Sequence, residues 1–221
     1  MVLGTLRCGV LLACLLSPTA LHAWEAEPMF AAATRLGPRA AAGAGELARL
    51  LTHAVGLDEA ARLAAVNLFF NRGIVFATDN GTWSQVDYWA SPLELLGKGA
   101  GDCEDFAIAK YFSLHAAGVP GAQLRLVYAR VQMGEPSGGV LPHMALAYYP
   151  LPGAEPWILD NLIDDIRLAS RRPDLTPVFS FNGDGLWQGL LGPPLMNSVA
   201  PLSRWLDVLA KATGEGFLPD L

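Results

Sequence analysis

The sequence predicts an α+β domain, with helices gathered in the first half of the chain and an antiparallel meander in the second. Three observations predict it. Apolar residues recur at three- and four-residue steps from Glu46 to Arg72 and again from Ala107 to Leu114, the spacing of buried helix faces. From Leu124 onward the pattern changes to short alternating runs separated by Gly/Pro turns. Between them, Gly101-Asp102-Cys103-Glu104-Asp105 opens the last helix of the first half.

Residues 1–23 are set apart from that domain. One basic residue (Arg7) precedes an apolar run, Val10 to Leu16, and the small-residue segment Ser17 to Ala23 closes it. This is the layout of a secretory signal cleaved after Ala23, leaving residues 24–221 as a single domain in an exported, periplasmic protein. Leu11-Leu12-Ala13 ahead of Cys14 also admits a lipoprotein reading, which the brevity of its apolar stretch disfavours. Losing Arg7 leaves 14 basic residues against 21 acidic ones. Such a surface is a poor match for phosphate contacts, so nucleic acid is excluded as a partner, and no Lys/Arg cluster suits an anionic membrane. Cys8 and Cys14 leave with the signal. Cys103 then stands alone, and a left-over thiol in an oxidising compartment suggests a reactive group or intermolecular pairing.

In chain order, Trp24 to Gly45 is Ala/Gly/Pro-rich and reads as a docking arm or a loosely ordered segment. Glu46 to Val55 and Asp58 to Arg72 form amphipathic helices, with His53 at the end of the first. Ile74 to Phe76 is a short extended link, Asp79-Asn80-Gly81-Thr82 a turn, and Ser91-Pro92-Leu93-Glu94 a capped, proline-started helical turn. The cysteine helix runs to about Ala117, with Gly118 and Pro120 ending it. Strands follow at Leu124–Val131, His143–Tyr149, Trp157–Asp160 and Val178–Asn182, and Leu202 to Ala212 closes the chain as a helix.

Cys103 falls at the first helical position, with Asp102 as N-cap and Asp105 in the reciprocal capping position. Unpaired N–H groups and the helix dipole favour a thiolate there. A small packed thiol among first-turn acids fits the segment equally well. Partners from elsewhere shift the balance. His143 opens one predicted strand and Asp160 closes the next, so an antiparallel pairing sets them near one end of the sheet. A nucleophilic cysteine needs a base, and the base an orienting acceptor; Cys103, His143 and Asp160 supply the three roles. The Cys103 N–H is the natural first oxyanion donor, and Trp83, upstream, is a candidate for the second.

Gly101-Asp102-Cys103-Glu104-Asp105-Phe106-Ala107-Ile108-Ala109-Lys110-Tyr111-Phe112, with His143-Met144-Ala145-Leu146, Leu159-Asp160-Asn161 and Ser180-Phe181-Asn182-Gly183, resembles the bacterial transglutaminase-like cysteine proteases of the LapG type. The resemblance spans roughly residues 67–187. It implies a papain-like, transglutaminase-like core with Cys103 as nucleophile, His143 as general base then acid, and Asp160 as orienter. It also implies a periplasmic protease that clips the N-terminal region of a large surface adhesin, so controlling biofilm attachment. An inner-membrane cyclic di-GMP receptor, LapD-like, would sequester it. Calcium dependence is implied too, with ligands matching Asp102 and Glu104, and Asp105 beside them. Three carboxylates around a thiol raise its pKa by repulsion, and a bound hard cation would offset their charge. Two further classes share these residues: a transglutaminase-type acyl transferase, and a non-catalytic binding module of the same fold.

Overall fold

The computed structural model of the protein describes residues 23–134, 138–196 and 202–218. The segment expected to be a signal peptide, Ala23 apart, lies outside the described residues.

The Ala/Gly-rich opening is not an arm. It folds as α1 (Ala26–Leu36) and α2 (Pro38–Ala54), joined by Gly37 at φ 114°, a conformation that favours glycine. Pro38 starts α2, where its missing N–H costs nothing. The helices exist because small side chains, rather than bulky ones, carry the packing. Ala33, Ala40 and Ala44 are fully buried beside Leu47 and Leu51. Gly97 brings α5 (Pro92–Lys98) so near α2 that an added Cβ would stand 3.2 Å from Ala40 Cβ. A pattern of small residues carries almost no hydrophobic contrast, so its periodicity is hard to read from the sequence.

α3 (Glu59–Gly73) starts where Asp58 accepts from the Ala61 N–H at 2.8 Å. β1 (Val75–Phe76) pairs in parallel with β2 (Ala100–Gly101). Between them, α4 (Asp79–Trp83) is one helical turn in place of the expected reverse turn, and α5 begins with a full capping box between Ser91 and Glu94. α6 (Cys103–Ala116) is buried at every residue from Asp105 to Ala116, as a helix apolar on all sides must be.

The remaining strands form one antiparallel sheet: β3 (Leu124–Gln132), β4 (Val140–Tyr148), β5 (Trp157–Leu159), β6 (Arg167–Leu168), β7 (Leu175–Phe181), β8 (Leu186–Gln188) and β9 (Pro194–Met196). Their spatial order is β6-β5-β4-β3-β7-β8-β9. The predicted meander holds for β3, β4 and β5; β7 then crosses back to pair with β3. α6 packs on β4 and β3 from one side and on α3 and α5 from the other. The main core fills that space, and a smaller cluster around Val127, Ala145 and Ile158 lines the opposite face of the sheet. The closing helix, α7 (Ser203–Gly214), buries Trp205, Val208 and Ala212. Just beyond it, the buried Glu215 accepts from Ser91 Oγ and, at 3.1 Å, from the Leu93 N–H, tying the chain's last helix to the start of α5.

Replacing Ala40 by Leu forces a bulky side chain into the α2–α5 contact. The variant is expected to lose about 1–3 kcal/mol of stability, measured by urea unfolding.

Candidate active site

The site begins with a glycine. A Cβ at Gly101 would stand 2.5 Å from Asp105 Oδ2 and 2.6 Å from Leu95 Cδ1, so only glycine lets β2 run this close to the first turn of α6. Asp102 occupies the N-cap position (φ −104°, ψ −166°), yet its side chain makes no cap hydrogen bond. Asp105 is not a reciprocal cap either. It is fully buried and accepts the Ala90 N–H at 2.7 Å, holding the chain ahead of α5. Burial drives its pKa up to about 7 against that hydrogen bond, and its Oδ2 is buried without a hydrogen-bond partner, as is Nε1 of Trp83, the upstream oxyanion candidate.

Cys103 therefore sits at the first position of α6. β4 outruns β5, whose ladder ends at Leu146↔Leu159. Beyond that point the Met144 N–H donates to Cys103 Sγ at 3.4 Å, which sets the thiol against the backbone next to His143. The S–H in turn donates to Glu104 Oε2 at 3.1 Å. Burial pushes the thiol pKa well up, and Glu104 pushes it further, so the dipole of α6 is outweighed. Among the described residues no hydrogen bond joins the thiol to the imidazole.

His143 and Asp160 do meet. His143 lies inside β4, three residues from its start rather than at it, and Asp160 directly follows β5. His143 Nε2 is 2.8 Å from Asp160 Oδ1, with both side chains buried. Nε2 is thus committed, and Nδ1 is the ring nitrogen left for a thiol or substrate. Asp160 is itself held on every side. Arg172 Nη2 donates to Oδ2 at 2.8 Å, the Leu162 N–H to Oδ1 at 3.1 Å, and Asn71 Nδ2 of α3 to its carbonyl at 2.9 Å. Burial opposes the carboxylate charge, but the His143 bond and the charges of His143 and Arg172 hold its pKa down to about 2.

A second cluster includes Glu104, the acceptor of the thiol. Asp79, Asp102 and Glu104 each offer a carboxylate oxygen within 4.8 Å of the others. Of the residues expected to hold metal, Asp102 and Glu104 lie in this group together with Asp79, whereas Asp105 accepts from Ala90. Asp79 Oδ2 accepts the Tyr88 N–H at 2.6 Å. Its Oδ1, and Oδ1 of Asp102, are buried without a hydrogen-bond partner. Burial raises the Asp102 pKa to about 9, with Glu104 and Asp105 adding to it, and burial raises that of Asp79. Buried carboxyl groups that disfavour one another's charge and hold orphaned oxygens fit a hard oxygen-seeking cation such as calcium, which would take the place of a proton.

Two of these residues escaped the sequence reading. Asp79 stood in an apparent turn, Asp-Asn-Gly-Thr, and nothing local shows that the turn folds onto α6. Arg172 followed another arginine in a Pro-flanked loop; a carboxylate destined for burial needs a buried cation, which was the available signal.

The chain is similar to known proteins in sequence and in fold. The family model described as bacterial transglutaminase-like cysteine proteinase matches residues 45–173. No curated protein matches. Among solved structures, Legionella pneumophila LapG is 37% identical, with a TM-score of 0.72 over 85% of this chain and 97% of its own. A calcium-bound form of the same protein gives 37%, 0.72, 85% and 98%, and an EGTA-treated form 38%, 0.73, 85% and 97%.

Arg172→Met leaves the buried Asp160 carboxylate without its cation and is expected to cost about 3 kcal/mol at pH 7 in urea unfolding. In the native protein the folded pKa of Asp160 lies below its ordinary value of 3.8, so its stabilisation is full above that value and is lost as pH falls toward about 2. The variant's unfolding should therefore change less than the wild type's over that acid range.

Proposed function

The chain belongs to the bacterial transglutaminase-like cysteine proteinases, and on that footing we propose that it is an exported, calcium-dependent endopeptidase using Cys103, His143 and Asp160. The observation that carries the proposal is the arrangement around the thiol. Cys103 opens a buried helix against the backbone of His143–Met144, and His143 is oriented by a carboxylate that Arg172 keeps charged.

In the reaction, the Cys103 thiol gives its proton to His143 Nδ1, and the sulfur attacks the peptide carbonyl carbon. The oxygen gains charge near the Cys103 N–H, a helix-start donor with no intrahelical acceptor. His143 returns the proton to the departing amine as the C–N bond breaks, leaving a thioester. Water then attacks the thioester as His143 takes its proton, the C–S bond breaks to release the new carboxyl terminus, and His143 returns the proton to sulfur. Throughout, Asp160 holds the ring and stabilises its charged form.

Asp79, Asp102 and Glu104 would hold the calcium. When bound it supplies the positive charge that three clustered carboxylates lack. Glu104 belongs both to that cluster and to the hydrogen bond of the thiol, so filling the cluster and freeing the thiol proton are linked. Similarity to a protein solved calcium-bound and EGTA-treated supports the metal's identity. The substrate we propose is the N-terminal region of a large surface adhesin, cut in the periplasm to regulate biofilm attachment. A LapD-like cyclic di-GMP receptor would be the sequestering partner. Both rest on the family resemblance of the segments around Cys103, His143, Asp160 and Asn182.

The test is cleavage of an adhesin N-terminal fragment by the mature protein. Wild type is expected to cut with calcium and not with chelator, and Cys103→Ala not to cut in either. Asp79→Asn is expected to raise the calcium concentration for half-activity by about tenfold or more while saturating calcium restores turnover. Cutting that persists in excess chelator removes the metal claim, and cutting by Cys103→Ala removes the nucleophile.

A further inference from the structure

Beyond the active site, β4 runs on as a bare strand edge. On one side it pairs with β3 along its whole length, from Leu124↔Tyr148 to Gln132↔Val140. On the other it pairs with β5 only at residues 146–148. The chain after β5 does not continue that ladder, because α3 draws it away. Asn71 Nδ2 donates to the carbonyls of Asp160 and Ile163, and Asn67 Nδ2 to that of Asp164. Residues 140–144 are left with one neighbouring strand instead of two.

The ladder fixes where each backbone group on that stretch points, since successive residues of an antiparallel strand face alternate edges. The Tyr149 N–H donates to the Gln123 carbonyl at 2.8 Å, and the Gly139 carbonyl accepts from the Met133 N–H at 3.1 Å. Odd-numbered residues therefore face β3 and even-numbered residues face outward, as the Met144 N–H does in reaching Cys103 Sγ. The open edge carries the N–H and carbonyl of Val140 and the carbonyls of Pro142 and Met144. Among the described residues no backbone N–H reaches any of those carbonyls. Pro142 stands where a missing N–H costs β4 no ladder bond. It denies a second sheet the full ladder that would glue two edges together, and still leaves an acceptor. Val140 and Leu141 are 57% and 51% exposed, and Leu141 lies on the same side of β4 as His143, two residues before it.

We propose that this edge is the substrate-binding strand of the protein. The polypeptide to be cut adds to β4 in extended form, and its residues on one side of the scissile bond donate main-chain N–H groups to the carbonyls of Pro142 and Val140. The inference rests on the proteolytic reading and names what that site selects. Cys103 Sγ lies on the edge itself, at Met144, so a strand laid along it carries its backbone past the nucleophile. Toward Leu146 the way is closed by β5, which leaves Pro142 and Val140 as the open stretch. Outward-facing residues recur at every second position of β4, so alternate N–H groups of the substrate are used. The substrate side chain beside Leu141 meets an apolar neighbour, which favours an apolar or small residue there. A segment folded as a helix has its main-chain donors already spent, so the selected class is an unstructured stretch able to lie extended.

The test begins by locating the cut in the adhesin N-terminal fragment by mass spectrometry. Synthetic peptides spanning it then carry a single N-methyl amide at each position in turn, the scissile amide excepted. On one side of the cut, N-methylation at two positions separated by one is expected to lower kcat/KM about fivefold or more, the loss of one main-chain hydrogen bond. The position between them should tolerate it. Leu141→Asp is expected to raise KM for the unmodified peptide about tenfold, while iodoacetamide alkylates Cys103 at the wild-type rate, which a distorted site would not allow. Equal tolerance of N-methylation at every position overturns the proposal. A second measurement needs no turnover: amide exchange by NMR in Cys103→Ala with the adhesin fragment added. Exchange of the outward Val140 N–H is expected to slow, and that of Leu141, already paired with β3, to stay as it was. No slowing at Val140 overturns the proposal. Absence of cleavage by wild type overturns the proteolytic reading instead; exchange at Val140 still decides whether β4 receives the chain.

Discussion

The enclosure of α6 is the constraint on which the rest of the structure depends. A helix buried at every residue from Asp105 to Ala116 cannot shift or rotate without disturbing the sheet on one side and two helices on the other. Its first turn is therefore a fixed point. Gly101 is required because β2 approaches that turn too closely for any Cβ, and Asp105 is spent on anchoring Ala90. What emerges from the enclosure is Cys103, set at the one place where β4 extends past its neighbour and leaves a backbone N–H to receive it.

Electrostatics at this fixed point pull in two directions. On one side, burial together with Glu104 and Asp102 keeps the thiol protonated; on the other, His143 and Arg172 keep a single carboxylate charged. The two sets differ in what satisfies them. Asp160 has its full complement of donors within the protein, whereas Asp79 and Asp102 retain orphaned oxygens. The Asp160 carboxylate is satisfied as folded, and the second set lacks positive charge within hydrogen-bond reach.

The sequence disclosed the chemistry more readily than the framework. Cys103, His143 and Asp160 were legible as candidates because the residue types suited to a nucleophile, a base and an acceptor are recognisable on predictable elements. The pairing of His143 with Asp160 follows from two adjacent strands. α1 and the first half of α2 were not legible, since alanines and glycines pack by being small and leave no apolar contrast to read. Asp79 and Arg172 were missed for a different reason: each acquires its role only through a tertiary contact, one with the turn at Asp102 and one with the strand end at Asp160. Asp102 and Asp105 illustrate the converse, because their capping roles were locally sound and the tertiary structure had other uses for both.

The site's parts are scattered along the chain at Asp79, Asp102 to Glu104, His143, Asp160 and Arg172. No helix, hairpin or contiguous half of the molecule contains a working set. Contacts between residues so distant in sequence form late, since each closes a long loop before it returns any stabilisation. Until β4 has docked on α6, the thiol has neither its backbone donor nor an oriented base. In a nascent or partly unfolded copy the proposed site is therefore unassembled, and its latency before folding is built into the topology.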